Sequence, residues 1–127
     1  MTQQKKIQIA IADDYKVFRE GIKKCIANES ALEVILEAEN GRELISGIEE
    51  KMPDVIIMDL KMPVMDGIEA TQIIKKKYPA VKILVVTMYG EEKFITHLKD
   101  IGANGYLLKN ADPDEIRRSI YSVYEND

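Results

Sequence analysis

Short apolar runs alternate with helical stripes five times along the 127 residues, and few architectures accept that rhythm. Ile7, Ile9 and Ile11 alternate with Gln8, Ala10 and Ala12, a first strand that ends at Asp13-Asp14. From Tyr15 to Glu29 the positions Phe18, Ile22, Cys25 and Ile26 form one apolar face of a helix. Glu33 to Ala38 reads as a second strand. Asn40 with Glu43 then forms a capping box ahead of a helix carrying Leu44, Ile45 and Ile48. Val55 to Met58 is apolar throughout, the pattern of a central strand buried on both faces, and it runs straight into Asp59. Asp66 with Glu69 opens a third helix bearing Ile68, Ile73 and Ile74. Val81 to Val86 is a fourth strand, ending at Thr87. Glu91 to Ile101 is a helix with Phe94, Ile95 and Leu98 inward and Gly102 closing it. Gly105 to Leu108 leads into Lys109, and Asp112-Pro113-Asp114-Glu115 supplies cap, first-turn proline and acidic first turn for a last helix. The face of that helix is Ile116, Ile120, Val123 and Tyr124. Such alternation predicts a doubly wound α/β fold: five parallel strands in the order 2-1-3-4-5 with helices on both faces.

A chain of this length makes one domain, residues 1–127, with a core that needs no staples. A net charge of −4 gives no electrostatic case for nucleic-acid binding by this segment. Cys25 is the only cysteine, so no internal disulfide can form and a reducing compartment is the simpler reading. It lies on the apolar stripe and reads as core. The opening Met1-Thr2-Gln3-Gln4-Lys5-Lys6 contains no signal-peptide core, and no apolar run approaches the roughly 20 residues of a membrane span, so the expected location is the cytoplasm. Lys75-Lys76-Lys77 at a helix C-terminus complements the helix dipole and is not read as a nucleic-acid patch. His97 has no second ligand candidate nearby and reads as a surface or half-buried helix residue, not a metal ligand.

Parallel strands place their C-terminal ends at one edge of the sheet. Asp13-Asp14, Asp59, Thr87 and Lys109 therefore converge there, with the acids facing each other across the switch point between the first and third strands. Three carboxylates so placed repel one another unless a cation joins them, and hard oxygen donors in that number suit Mg²⁺. An ammonium can pair with a carboxylate at rest and with phosphoryl oxygens later, and a hydroxyl can donate to the same oxygens. These parts move a phosphoryl group by positioning and charge neutralisation, with ionised Asp59 as the nucleophile. The sequence offers no candidate base to activate water, which favours a slow switch over a fast hydrolase. Asp13 or Asp14 could instead cap the first helix, and Thr87 could be ordinary turn chemistry.

The stretches Ile11-Ala12-Asp13-Asp14, Met58-Asp59-Leu60-Lys61-Met62-Pro63-Val64-Met65-Asp66-Gly67, Val86-Thr87 and Gly105-Tyr106-Leu107-Leu108-Lys109 resemble, in order, the motifs of the receiver domain of bacterial two-component response regulators. The resemblance covers essentially the whole chain and implies the flavodoxin-like (βα)5 arrangement. It also implies that Asp59 accepts a phosphoryl group from a sensor histidine kinase. Mg²⁺ would be held by Asp14, Asp59 and the main-chain carbonyl of Lys61, with Asp13 indirect. Thr87 and Lys109 would contact the phosphoryl group, and Tyr106 would be the aromatic that moves with Thr87. That movement would bias a surface made by the fourth helix, fifth strand and fifth helix, the fourth helix being flanked by Gly90 and Gly102. Arg19-Glu20-Gly21, Asp66-Gly67-Ile68-Glu69-Ala70-Thr71, Thr87-Met88-Tyr89 and Lys109-Asn110-Ala111-Asp112-Pro113 look like the LuxR/NarL-type branch. Its members usually carry a C-terminal helix-turn-helix domain, so DNA contact is expected only through a part beyond Asp127, and a homodimer on phosphorylation is a further expectation. Lys61 and Tyr89 differ from the small or acidic residues of chemotaxis-type members, which bears on phosphoryl lifetime.

Other readings follow from the same residues. One is a stand-alone receiver acting through protein contacts. Another is an aspartyl-nucleophile phosphatase resembling the haloacid dehalogenases, which place Asp-x-Asp after the first strand and need a cap insertion. Here Asp13-Asp14 is followed by Tyr15-Lys16. A flavin binder would want a Ser-, Thr- and Gly-rich loop where Asp13-Asp14 would repel a phosphate.

Overall fold

The computed structural model describes residues 5–88, 90 and 92–126. The opening Met1-Thr2-Gln3-Gln4, Tyr89 and the predicted helix start Glu91 lie outside the described residues. Ten elements alternate along the chain. The strands are β1 (Ile7–Ala12), β2 (Leu32–Ala38), β3 (Val55–Asp59), β4 (Lys82–Thr87) and β5 (Gly105–Leu108). The helices are α1 (Lys16–Ile26), α2 (Gly41–Glu50), α3 (Gly67–Lys77), α4 (Glu92–Asp100) and α5 (Pro113–Glu125). All strand pairings are parallel, in the order 2-1-3-4-5 that the alternation predicts.

Alternate strand residues point to opposite faces, so the sheet supports two cores. On one face Ala10, Ile56, Met58, Ile83 and Val85 pack under α2, α3 and α4, met by Leu44, Ile48, Ile74, Ile95 and Leu98. On the other, Ile9, Ile11, Val55, Ile57, Leu84 and Val86 pack under α1 and α5, met by Ile22, Ile26, Ile116, Ile120 and Val123. Val55 to Met58 feed both cores and are each no more than 1% exposed, the burial expected of a central parallel strand. Among the described residues no helix is long and apolar enough to cross a membrane.

Local chemistry sets the helix starts. Asn40 Oδ1 accepts from the Glu43 N–H at 2.9 Å while Glu43 Oε1 accepts from the Glu39 N–H at 3.1 Å, a reciprocal cap. The Asp66 and Asp112 carboxylates cap α3 and α5 by accepting from the amides of Glu69 and Glu115. Gly102, with φ of 108°, closes α4 in the left-handed conformation that glycine tolerates. The ends are less faithful to the pattern. α1 stops at Ile26, not Glu29, because the Glu29 amide turns back to the Ile26 carbonyl and starts the turn into β2. Lys75 does more than complement a dipole. Its ammonium donates to the carbonyls of Pro79 and Val81 and to Asn104 Oδ1, at 3.0, 2.8 and 3.2 Å, tying the end of α3 to the loop before β5.

Two predicted core residues sit on helix flanks. The buried stripe of α3 is Gly67, Ala70, Thr71 and Ile74, which leaves Ile73 at the edge and exposed. In α5 the stripe is Ile116, Ile120 and Val123, and Tyr124 lies beside Met52, Pro53 and Lys82 at the opposite end of the sheet from Asp59. Thr71 is fully buried, and its hydroxyl has no hydrogen-bond partner among the described residues. Burying an unpaired hydroxyl is unfavourable, so Thr71→Val is expected to stabilise the fold by about 1 kcal/mol, read from urea unfolding. A loss of stability would show that the hydroxyl is satisfied.

Candidate functional site

The site is assembled by strand ends. Asp13 follows β1, and its N–H donates to the Ala38 carbonyl at 3.0 Å, carrying the β1–β2 ladder one residue past the strand. Asp59 is the last residue of β3, opposite Val86 of β4. Beyond β5, the Lys109 N–H donates to the Thr87 carbonyl at 2.9 Å, so the residues carrying the ammonium and the hydroxyl are joined through the main chain. Carboxylate oxygens of Asp13, Asp14 and Asp59 lie within 4.8 Å of one another. Asp13 and Asp59 are 1% and 6% exposed.

One cation holds this arrangement together. Lys109 Nζ lies 3.2 Å from Asp13 Oδ2 and 3.4 Å from Asp59 Oδ1. It also sits 4.6 Å from the Phe18 ring centre and 5.6 Å from that of Tyr15, within cation–π range of both. Burial pushes the Asp59 carboxyl above its ordinary value, the Asp13 charge pushes it further, and Lys109 opposes both without cancelling them. Burial would lower the Lys109 ammonium, but its hydrogen bond to Asp13 and the charges of Asp13 and Asp59 outweigh that, so it is raised and stays protonated.

Asp13 partly follows the capping alternative, since its Oδ1 accepts from the Tyr15 N–H at 2.9 Å at the start of α1. Asp14 does not. Its Oδ1 is buried with no hydrogen-bond partner among the described residues. A buried carboxylate oxygen without a donor, beside two more carboxylates, is a donor set that fits a hard divalent cation such as Mg²⁺.

The cleft above the cluster, about 510 Å³, is lined by Asp14, Asp59, Lys61, Thr87 and Lys109 together with apolar Leu60, Ile68, Met88 and Phe94. The predicted Asp13, Asp14, Asp59, Lys61, Thr87 and Lys109 are thus brought together. Tyr106 is not among the cleft residues; it stands on β5, 43% exposed, beside Val85 of β4. Sequence reasoning missed Phe18 and Tyr15 as neighbours of Lys109, although both follow Asp13-Asp14 closely enough to signal it. His97 is exposed and joins no ligand cluster among the described residues.

The loop from Asp59 to α3 is pinned at several points. The Gly67 N–H donates to the Leu60 carbonyl at 2.8 Å, an approach that leaves no room for a side chain, since a Cβ there would overlap the Asp59 carbonyl oxygen. The Met65 carbonyl accepts from the Gly41 N–H at 2.9 Å, and the Met65 N–H donates to the Pro63 carbonyl at 2.7 Å. That last bond closes a γ-turn with Val64 at φ 68°, a strained conformation for a β-branched residue. Val64 is exposed and packs too little to offset the strain. Val64→Gly is therefore expected to stabilise the protein by about 1 kcal/mol in chemical denaturation, and a loss of stability would contradict the strain.

Asp59 gives a pH-dependent expectation. Its folded pKa lies above the unfolded value, so the ionised carboxylate costs stability above that pKa and the cost disappears as pH falls through it. In magnesium-free buffer Asp59→Asn is expected to raise Tm at neutral pH and above, with the gap to the native chain closing on acidification. A gap that widens in acid would contradict this electrostatic account.

Residues 9–121 match the family model of the response regulator receiver domain, and the chain belongs to that family. It is 42% identical over 118 residues to the transcriptional regulatory protein DegU of Brevibacillus brevis, covering 93% of this chain and 50% of the relative. It is 38% identical over 122 residues to the oxygen regulatory protein NreC of Staphylococcus haemolyticus, covering 95% of this chain and 56% of the relative. The crystal structure of a LuxR-family two-component response regulator from Aurantimonas sp. SI85-9A1 is similar with a TM-score of 0.88 at 33% identity, over 94% of this chain and 85% of that one. These relatives lie in the LuxR/NarL-type branch that the motifs resemble. The chain spans about half the length of the curated relatives it matches.

Proposed function

We propose that this domain is the phosphoacceptor switch of a two-component pathway, with Asp59 as the acceptor and a sensor histidine kinase as the donor. The observation that carries the reading is the convergence of Asp14, Asp59, Thr87 and Lys109 on one cleft, with Asp13 in the same acidic cluster and a carboxylate oxygen of Asp14 buried and without a hydrogen-bond partner among the described residues. In the transfer an Asp59 carboxylate oxygen attacks phosphorus. The P–O bond forms as the P–N bond to the donor histidine breaks, and the imidazole leaves with its electron pair. Asp14, Asp59 and the Lys61 carbonyl would hold Mg²⁺, with Asp13 indirect. When bound, the ion neutralises charge on the acids and on the incoming phosphoryl oxygens.

The chain's own groups do the rest. Lys109, shared between Asp13 and Asp59 at rest, turns its positive charge to the phosphoryl oxygens once they arrive. The Thr87 hydroxyl donates to one of those oxygens. Because Thr87 and Lys109 are joined through the main chain, that response reaches β5, where Tyr106 stands half-exposed and free to change its packing. The output surface is then α4, β5 and α5. Residues 1–127 are read as a receiver domain acting in the cytoplasm, dimerising on phosphorylation and controlling transcription through a DNA-binding domain outside this chain. That last step leans on relatives named as transcriptional regulators that are about twice as long.

Incubation with a small-molecule phosphodonor and Mg²⁺, followed by intact mass measurement, tests the chemistry. A single phosphoryl adduct is expected, lost without Mg²⁺ and lost in Asp59→Asn. Removing the cation of the site in Lys109→Ala is expected to slow its formation by about a hundredfold. An adduct that survives Asp59→Asn would move the acceptor elsewhere, and no adduct from either a phosphodonor or a kinase would overturn the switch.

A further inference from the structure

Arg19 is a charged residue in a place that suits an apolar one. It closes the first turn of α1, 9% exposed, between the half-buried Phe18 and the buried Ile22. A guanidinium taken out of water needs partners for its donors. One NH1 donor goes to the Asp13 main-chain carbonyl at 2.6 Å, and Nε donates to Glu37 Oε1 on β2 at 3.1 Å. Glu37 is held in turn by Lys23, whose ammonium donates to Oε2 at 2.9 Å and lies 3.0 Å from Glu20. Hydrogen bonding from Lys23 keeps the Glu37 carboxyl below its ordinary value despite partial burial.

Asp13 is consequently fixed at every polar atom. Its N–H is bonded to Ala38, its carbonyl to Arg19, Oδ1 to Tyr15 and Oδ2 to Lys109. The Asp13 carbonyl and the Asp14 N–H share one planar peptide unit. Clamping that carbonyl fixes the plane from which the Asp14 side chain departs, and Asp14 is the acid whose buried Oδ1 stands without a donor. Charge matters as well as geometry. A lone guanidinium this close to three acids would compete with a cation, but the Glu37 carboxylate offsets it, so Arg19 holds the carbonyl at little electrostatic cost to the cluster. Arginine suits the task because its planar fork serves a carbonyl and a carboxylate in different directions at once.

We infer that Arg19 is a positioning residue of the acidic cluster, setting the direction of Asp14 through the Asp13 carbonyl and thereby the affinity of the site for Mg²⁺. This rests on the proposed Mg²⁺-dependent switch. Partners that orient metal ligands from outside the ligand set commonly govern affinity nearly as strongly as the ligands themselves.

The test is a Mg²⁺ titration of the ¹⁵N-labelled 127-residue chain, following amide shifts, on native protein, Arg19→Gln, Arg19→Lys and Lys75→Met. Lys75→Met removes three hydrogen bonds far along α3 and serves as a destabilised control that leaves the cluster alone. Arg19→Gln is expected to weaken Mg²⁺ binding by about tenfold or more. Its Asp14 amide nitrogen is expected to shift before any Mg²⁺ is added, because the bond to the preceding carbonyl is gone. Lys75→Met is expected to lower Tm with native Mg²⁺ affinity and an unmoved Asp14 signal. Where Arg19→Gln fails to fold, Arg19→Lys decides: it keeps the positive charge, but its single nitrogen cannot occupy both places that Nε and NH1 of Arg19 hold against Glu37 and the Asp13 carbonyl, so weaker binding and a moved Asp14 signal are again expected. Native affinity in a folded Arg19 variant, or equal losses in Lys75→Met, overturns the positioning role. Failure of the native chain to bind Mg²⁺ overturns the switch reading and this inference with it.

Discussion

Three carboxylates and one ammonium gathered at one sheet edge, two of the acids almost wholly buried, are the constraint on which the rest of this molecule turns. Asp13 and Asp59 are almost wholly buried, and Lys109 alone among the described residues bridges them. Such a cluster carries more negative charge than its own cation neutralises. A hydrophobic core would never select it. It persists because the surrounding fold is stable enough to carry the penalty, as sites that need charge at a set place commonly do. The imbalance is also what makes the three acids a donor set that fits a divalent cation.

The sheet supplies that stability. The two apolar faces of β1, β3 and β4 are covered by helices on both sides, so each strand end is delivered to its place by packing that does not involve the site. Backbone bonds then refine the placement. The Asp13 amide extends the β1–β2 ladder, the Lys109 amide extends β4–β5, and the Gly67 amide folds the loop after Asp59 back on Leu60. Main-chain bonds thus set where these residues stand along the sheet edge.

How much of this could be read from the residues depended on how local the cause was. The alternation of strand and helix was legible because its periods are short-range, and the parallel order followed from connection rules. The caps at Asn40, Asp66 and Asp112 were legible because each is closed within four residues. Convergence of the acids, Thr87 and Lys109 followed from the sheet edge. Core membership at helix flanks was less legible: Ile73 and Tyr124 continue an apolar stripe in sequence but lie beyond the width the sheet covers. Arg19 could not be read at all, since its burial depends on Glu37 and the Asp13 carbonyl, groups remote or invisible in the side-chain pattern. The γ-turn at Val64 was likewise hidden, because nothing in a valine announces a positive φ.

The two helices that cover the second core are fastened to each other as well as to the sheet. Arg117 of α5 donates to the Cys25 carbonyl near the end of α1 at 2.8 Å, and the Tyr121 hydroxyl donates to Glu29 at 3.2 Å. Cross-links of this kind make α1 and α5 a single stiff plate, resistant to sliding of one helix past the other. A disturbance starting at the acidic cleft meets that plate as a wall. On the opposite side α4 rests on the sheet through the buried Ile95 and Leu98, with Phe94 half-buried against the same core. The two flanks of the sheet are therefore fastened differently, one by helices bonded to each other and the other by a helix seated on apolar side chains.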